Sequence, residues 1–282
     1  MEFVVLDYGS EDGLGDWIRS NFQKEIDSGR LVYARTEAPY FKMAHAKNMA
    51  HRLANGDVLC NLDADNFIAK DFSTYLRGHF EKHPDTILGA GLLTRAFKNT
   101  AKLDGISGRM AYMRKSFGQL GGYDEAFKGW GGEDINFKLR GRDLGLAYKA
   151  IPNAMLGSVI MHSNEERMDN LHPSTVAASR SAIKRGGLEK FGSVIARQLV
   201  RARANSNPPG WFGCGEVQIN FSDSVTRIKP IDVSLPVPHY VQKALEREVA
   251  EAWPADNPSQ ASRREPWATS CTGERPPQAH RR

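Results

Sequence analysis

The sequence predicts an α/β fold, with a mostly parallel mixed sheet flanked by helices, then C-terminal helices and a disordered tail. Three observations predict it. Short apolar runs alternate with segments of helical spacing over the first 165 residues. Acids and glycines gather where those runs end, at the edge where open α/β sheets bind ligands. Beyond about Trp253 the composition turns to Pro, Ser, Arg and Gln, which cannot bury a core.

The elements follow in order. "EFVVLD" is a short apolar strand ending in an acid, and "YGSEDG" is a turn. "DWIRSNFQKEI" has helical spacing, "RLVYAR" is a strand, and "KMAHAKNMAHRLANG" is a helix stopped by glycine. "DVLCNLDAD" is a buried strand running into acids, and "KDFSTYLRGHFEKHP" is a helix ended by Pro84. "TILGAG" and "GRMAYMR" read as strands, "GEDINFKLRGRDLG" as a helix and "SVIMHS" as a last strand. Residues 1–165 form the expected core, and 166–252 a helical and hairpin extension in which "EVQINFSDSVTRIKPIDV" is the hairpin. Residues 253–282 form the tail.

The bulk numbers narrow the function classes. At 40% hydrophobic over 282 residues the chain builds a real core. A net charge of +5 favours anionic partners, although many soluble domains carry as much. Cys60, Cys214 and Cys271 make no CxxC pair, which argues against a zinc ribbon or disulfide framework. The start "MEFVVLDYGS" is too short and too acidic for a signal peptide, and no apolar run approaches the roughly 18–20 residues that span a bilayer. The expected location is cytoplasmic, or membrane-peripheral through the basic helices read over 173–205, whose plainer reading is a solvated face.

"CNLDADNF" places Asp63 and Asp65 one residue apart at a strand end, on the same side if the strand continues. Two such carboxylates repel unless a cation sits by them. A hard divalent ion would relieve this and neutralise a diphosphate leaving group. The same acids also suit a turn or helix N-cap. His162 ends the strand "SVIMHS"; as a third ligand it would complete an O/O/N set suited to Mn2+, with Mg2+ the alternative, and otherwise it is a packed histidine. In "GWGGEDINFK", Glu133 and Asp134 fall in the first helical turn, where they complement the helix dipole, and Gly129, Gly131 and Gly132 permit close backbone approach. Trp130 either stacks on a ring-shaped ligand or packs in the core.

"FVVLDYGSEDG", "LDADN", "GGYDEAFKGWGGEDINFKLR" and "MHS" together resemble the GT-A glycosyltransferases. The resemblance is to family 2-like enzymes, joined to the C-terminal WGGED motif of the β-1,4-galactosyltransferase type, and it covers about residues 3–165. It implies a GT-A (Rossmann-like) fold, a nucleotide-sugar donor, expected to be UDP-linked, and manganese. By position it implies that Asp7 contacts the nucleoside, that Lys47 and Asn48 lie near the nucleotide, and that Asp63 and Asp65 are the D-x-D, Asp65 the more direct metal ligand. It further implies metal binding by His162, an acceptor platform of Trp130, Gly131 and Gly132, Asp134 as the base of an inverting transfer, and Glu133 as the acid that fixes the acceptor. Such enzymes open with one further strand and helix, so this chain is expected to start at the second strand; Tyr8 stands at the second acid of "DDGS", and Val159 where the galactosyltransferase type carries a metal-binding Met.

The expected activity is therefore transfer of a sugar to a glycan or other hydroxyl acceptor. The alternative is a catalytically inactive carbohydrate- or nucleotide-binding remnant, and retention in place of inversion stays open. Nucleic acid is not an expected partner, since no zinc, RNP or helix-turn-helix pattern occurs and the aromatics are not interleaved with the basic stretch.

Overall fold

The computed structural model describes residues 1–90, 108–127, 131–160, 171–173, 175–177 and 203–231. The chain runs β1 (Phe3–Asp7), α1 (Leu14–Asp27), β2 (Leu31–Arg35), α2 (Met43–Leu53), β3 (Val58–Asn61), β4 (Asn66–Ile68), α3 (Phe72–Lys82) and β5 (Thr86–Gly89). It continues through β6 (Met110–Met113), α4 (Arg114–Gln119), α5 (Glu133–Asp143), β7 (Ala147–Ala150), a 3-10 turn at Asn153–Met155, β8 (Leu156–Val159), β9 (Gly215–Ile219) and β10 (Val225–Ile228).

The strands form a sheet of order β1-β2-β9-β10, a second of order β3-β6-β5-β7, and the pair β4-β8. Mixed α/β architecture with flanking helices is what the alternation predicts. The expected dominance of parallel pairing is corrected: among the described residues the parallel ladders are β1 with β2 and β5 with β7, and the others run antiparallel. The reason is chain path. The β9–β10 hairpin returns antiparallel along β2, and β6 enters between β3 and β5 against both. The hairpin read from "EVQINFSDSVTRIKPIDV" is formed, with Val225 opposite Gln218.

Alternation along the second sheet sorts its side chains onto two faces. Ile87, Met110 and Tyr112 face a core shared with Ala44 of α2, Phe117 of α4 and Phe137 of α5. Leu88 and Ala111 face the opposite way, onto Phe72, Leu76 and Phe80 of α3. Full burial of a ring such as Phe137 contributes about 1.5–3 kcal/mol. In the first sheet, Ile18 and Ile26 of α1 pack on Leu31 and Tyr33, while Met49 of α2 packs on Ala34, Val217 and Ile228. Helix α2 therefore touches both sheets, with Met49 on one core and Ala44 on the other. That straddling position sets up the site.

Strand β4, helix α4 and strand β7 are absent from the sequence reading, each being at most 6 residues long. Most of the basic stretch 173–205 and all of the tail 253–282 lie outside the described residues, as does most of the extension 166–252 apart from the hairpin region. Among the described residues no helix is long and apolar enough to cross a membrane.

Candidate active site

Helix α5 opens at two glycines in the left-handed region, Gly131 at φ 79° and Gly132 at φ 103°. Gly132 is the N-cap residue, and its carbonyl accepts from Asn136 N at 2.9 Å. L side chains adopt that conformation at a cost of about 1–2 kcal/mol, so glycine is what lets the chain turn into this helix. The first-turn acids follow, and they are not on a solvated face: Glu133 is 2% and Asp134 7% exposed.

Charge complementarity permits this burial. Lys47 Nζ, from α2, donates to Glu133 Oε1 and to Asp134 Oδ1, each at 2.9 Å. The ammonium also lies over the Tyr123 ring, 5.3 Å from its centroid. Burial pushes the Lys47 ammonium down, but the Asp134, Glu133 and Asp63 carboxylates outweigh it and hold the group well above its usual value. For Glu133, burial and the Asp134 carboxylate push the carboxyl up further than Lys47 brings it down. Glu133 Oε2 is the one fully buried side-chain N or O atom among the described residues with no hydrogen-bond partner. An orphaned carboxylate oxygen costs free energy that an incoming hydroxyl donor would recover.

The D-x-D acids lie in the loop between β3 and β4. Asp63 Oδ1 accepts from Asn61 Nδ2 at 3.0 Å, and Asp65 Oδ1 accepts from Asn66 Nδ2 at 2.5 Å. Burial raises the Asp63 carboxyl; Lys47 opposes it, while the Asp134 and Asp65 carboxylates add to it, and the balance is upward. The structure thus brings Asp63, with Asp65 beside it, from one sheet end into the field of Asp134 and Lys47 from two helices. Four carboxylates share this region with the Lys47 ammonium and the buried Arg109, whose guanidinium feels both Asp63 and Asp65. Hard oxygen donors under mutual repulsion suit a divalent cation, and Asp63 and Asp65 are the residues that would hold it. Among the described residues no group of three His, Cys, Asp or Glu side chains forms a ready metal-binding cluster. His162, the expected third ligand, lies outside the described residues, and so does Trp130.

The two residues expected near the nucleotide, Lys47 and Asn48, both have partners within the chain. Asn48 is fully buried. Its Oδ1 accepts from Tyr123 N at 2.7 Å, and its Nδ2 donates to Tyr123 O and Glu125 Oε1, each at 2.8 Å. That spends the amide on the loop after α4, where a Cβ on Gly122 would lie 2.6 Å from Asn48 Oδ1. Lys47 is turned to the acids. Asp7 sits apart from this cluster, at the end of β1. Its carboxylate accepts from Ser10 N at 2.7 Å, the Tyr33 hydroxyl at 2.6 Å and Arg35 Nη1 at 2.9 Å. Burial pushes the Asp7 carboxyl up, and these partners outweigh it and hold it below its usual range. A cavity of about 250 Å³ opens beside it, lined in part by Ser10, Gly13, Arg19, Tyr33, Arg35 and Phe221.

Beneath the acids lies a second buried network. His51 Nδ1 is 2.6 Å from Lys47 O, and a carbonyl only accepts, so this nitrogen carries the proton. Its Nε2 faces the Tyr112 hydroxyl at 2.9 Å, which lies 3.2 Å from the Tyr123 hydroxyl. Neither His51 nor the asparagines Asn61 and Asn66 stand out in the sequence as site residues. The one available signal was that Asn61 and Asn66 bracket the D-x-D in "NLDADN".

Two family models match parts of the chain. Residues 1–127 match the family described as glycosyl transferase family 2, and residues 95–165 match the one described as the N-terminal domain of galactosyltransferase. No curated protein matches significantly. Among solved structures, 96% of the chain superposes on 74% of a mannosyltransferase from Pyrobaculum calidifontis in complex with GDP-Man and Mn2+, at 17% identity and a TM-score of 0.47. The catalytic domain of Drosophila beta1,4-galactosyltransferase 7 in complex with xylobiose aligns over 61% of the chain and 76% of its own, at 19% identity and a TM-score of 0.38. A mutant of the Drosophila enzyme in complex with manganese, UDP-Gal and xylobiose gives the same figures. These scores lie below 0.5, so the fold described here rests on the chain's own strand order and pairing.

Proposed function

We propose that this chain, whose residues 1–165 carry two overlapping glycosyltransferase family domains, moves a sugar from a nucleotide-diphosphate donor to an acceptor hydroxyl with the help of a divalent metal. The donor is a UDP-sugar, the metal Mn2+, the outcome inversion, and Asp134 the general base. One observation carries the reading: Asp63 of the D-x-D and Asp134 of the α5 opening act on one another electrostatically across the same Lys47. Transfer to a hydroxyl needs a cation beside the leaving diphosphate and a base beside the attacking oxygen, and it needs the two close together.

In this reading Asp63 and Asp65, with His162, would hold the cation, which would supply charge stabilisation for a diphosphate leaving group. The chain's own residues do the rest. Asp134 accepts the acceptor's proton, and Glu133 Oε2 accepts a hydrogen bond from the acceptor. Lys47 holds both carboxyls of the acid pair by hydrogen bonds before the acceptor arrives. Among the described residues nothing lies within 4 Å of where a Cβ on Gly131 would stand, and in this reading Gly131 and Gly132 serve with Trp130 as the acceptor platform.

The test is a screen of nucleotide sugars for binding and hydrolysis with and without Mn2+, run on the wild-type chain and on Asp65→Ala. The expected result is Mn2+-dependent affinity for one nucleotide class that Asp65→Ala abolishes. Binding that ignores both Mn2+ and the substitution contradicts the metal assignment. Mn2+-dependent binding with no turnover of any donor favours the alternative, an inactive nucleotide- or carbohydrate-binding module.

A further inference from the structure

The D-x-D acids are each met by an asparagine, and both asparagines are anchored on two consecutive residues of another segment. Asn61 Nδ2 donates to Asp63 Oδ1 at 3.0 Å and to Gly108 O at 2.8 Å. Asn66 Nδ2 donates to Asp65 Oδ1 at 2.5 Å, and Asn66 Oδ1 accepts from Arg109 Nε at 2.5 Å. Arg109 is fully buried, and its remaining nitrogens donate to Gly157 O and Ser158 O, each at 3.2 Å.

The chemistry of these contacts fixes their direction. A guanidinium only donates, so the amide oxygen of Asn66 must face Arg109. Its NH2 group is then turned onto Asp65. Asn61 has the same constraint from the other side, because Gly108 offers it only a carbonyl. Gly108 also leaves the space Asp63 needs: a Cβ there would lie 2.2 Å from Asp63 Oδ2. The backbone reinforces the arrangement, since Asn66 N donates to Asp63 O at 3.0 Å and Ile160 N to Asp65 O at 2.8 Å.

We propose that Asn61 and Asn66 are positioning residues that orient Asp63 and Asp65 for a divalent cation, with Gly108–Arg109 as their common anchor. This rests on the metal reading above, but its geometry does not. Each asparagine occupies one oxygen of its carboxylate and limits the rotation of that group, which lowers the cost of ordering the ligands on binding. Partners of metal ligands of this kind typically govern affinity by about 10–100-fold.

The experiment uses the full-length chain. Mn2+ is titrated into wild type, Asn61→Ala and Asn66→Ala, and free and bound metal are read by electron paramagnetic resonance, with circular dichroism and thermal melting as checks on the fold. The expected result is a fall in Mn2+ affinity of about 10–100-fold in each folded variant, together with a changed line shape for the Mn2+ that still binds. A purely structural role would not change that line shape. A folded variant with wild-type affinity and spectrum overturns the proposal. Side-chain amide exchange in the metal-free wild type provides a second reading that needs no variant to fold. Slow exchange at Asn61 and Asn66 is expected, and exchange at the rate of a free amide overturns the proposal. A wild-type chain that binds no Mn2+ yet protects both amides contradicts the proposed metal dependence and supports the orienting contacts.

Discussion

Lys47 and Asp134 form a buried 2.9 Å ion pair that joins α2 to α5, and the same ammonium reaches Glu133. The pair ties the helix that straddles both sheets to the helix that opens with the acids. One positive charge therefore supports the packing of α5 and holds both acids of its first turn.

Lys47→Met should be strongly destabilising near neutral pH. It leaves two buried carboxylates without their counter-charge, and removing one partner of a buried pair costs about 3–5 kcal/mol. The deficit should shrink on acidification, as the stranded carboxylates take up protons. Urea unfolding of wild type and variant at pH 7.5 and 5 checks both parts. Equal stability at pH 7.5 would mean the pair is not formed in solution.

His51 should make the protein acid-sensitive. Burial, with the Lys47 ammonium and Arg114 adding to it, pushes its imidazole down to about 4 from 6.5. Above pH 6.5 both folded and unfolded states hold it neutral. As pH falls from 6.5 toward 4 only the unfolded state takes the proton, so stability is lost across that window, by about 3 kcal/mol in all. Glu133 and Asp63, whose carboxyls are raised, work in the opposite direction, because they favour the folded state as they protonate. The reading is therefore the difference between wild type and His51→Gln in unfolding free energy between pH 7 and pH 4. The wild type should show the steeper loss; parallel profiles would remove His51 as the source.

Asn48→Ala should act on stability before it acts on ligand binding. It strands Tyr123 N, while Tyr123 O keeps Asn207 Nδ2 and Glu125 Oε1 keeps Gly213 N. A stranded buried donor costs about 1–3 kcal/mol. A lowered melting temperature with nucleotide affinity retained is the expected result. An unchanged melting temperature with affinity lost would support the nucleotide contact that the sequence suggests.

Much of the fold was legible because its apolar runs are long enough to show their period. "FVVLD", "LVYAR" and the helices around Ile18, Met49 and Leu76 each appear where the pattern puts them. Strands β4 and β7 were not, because β4 has only three residues and β7 is largely exposed, so neither makes an apolar run. The pairing was also out of reach: that β9 lies antiparallel to β2 depends on a contact between Ala34 and Ile219, far apart in the chain. In the site, the acids could be read because D-x-D and GGED are local strings. Their environment could not. Nothing near "AHAKNMA" says that Lys47 meets α5, since that follows from how α2 lies across two sheets. A local reading gives Glu133 and Asp134 as first-turn acids but says nothing of their burial, and it is the packing of α5 that buries them.

The most direct test of the central claim is single-turnover and steady-state transfer by Asp134→Asn in the presence of Mn2+, with the donor identified by the screen. The substitution keeps the size and the hydrogen-bond acceptor facing Lys47 but removes the proton acceptor. A fall in kcat of about 10²–10⁴-fold is expected, the range that general base catalysis supplies. Donor affinity should stay near wild type, because Asp134 acts on the acceptor. Transfer by Asp134→Asn at the wild-type rate would contradict the account, because the buried acid on Lys47 would then not be the base.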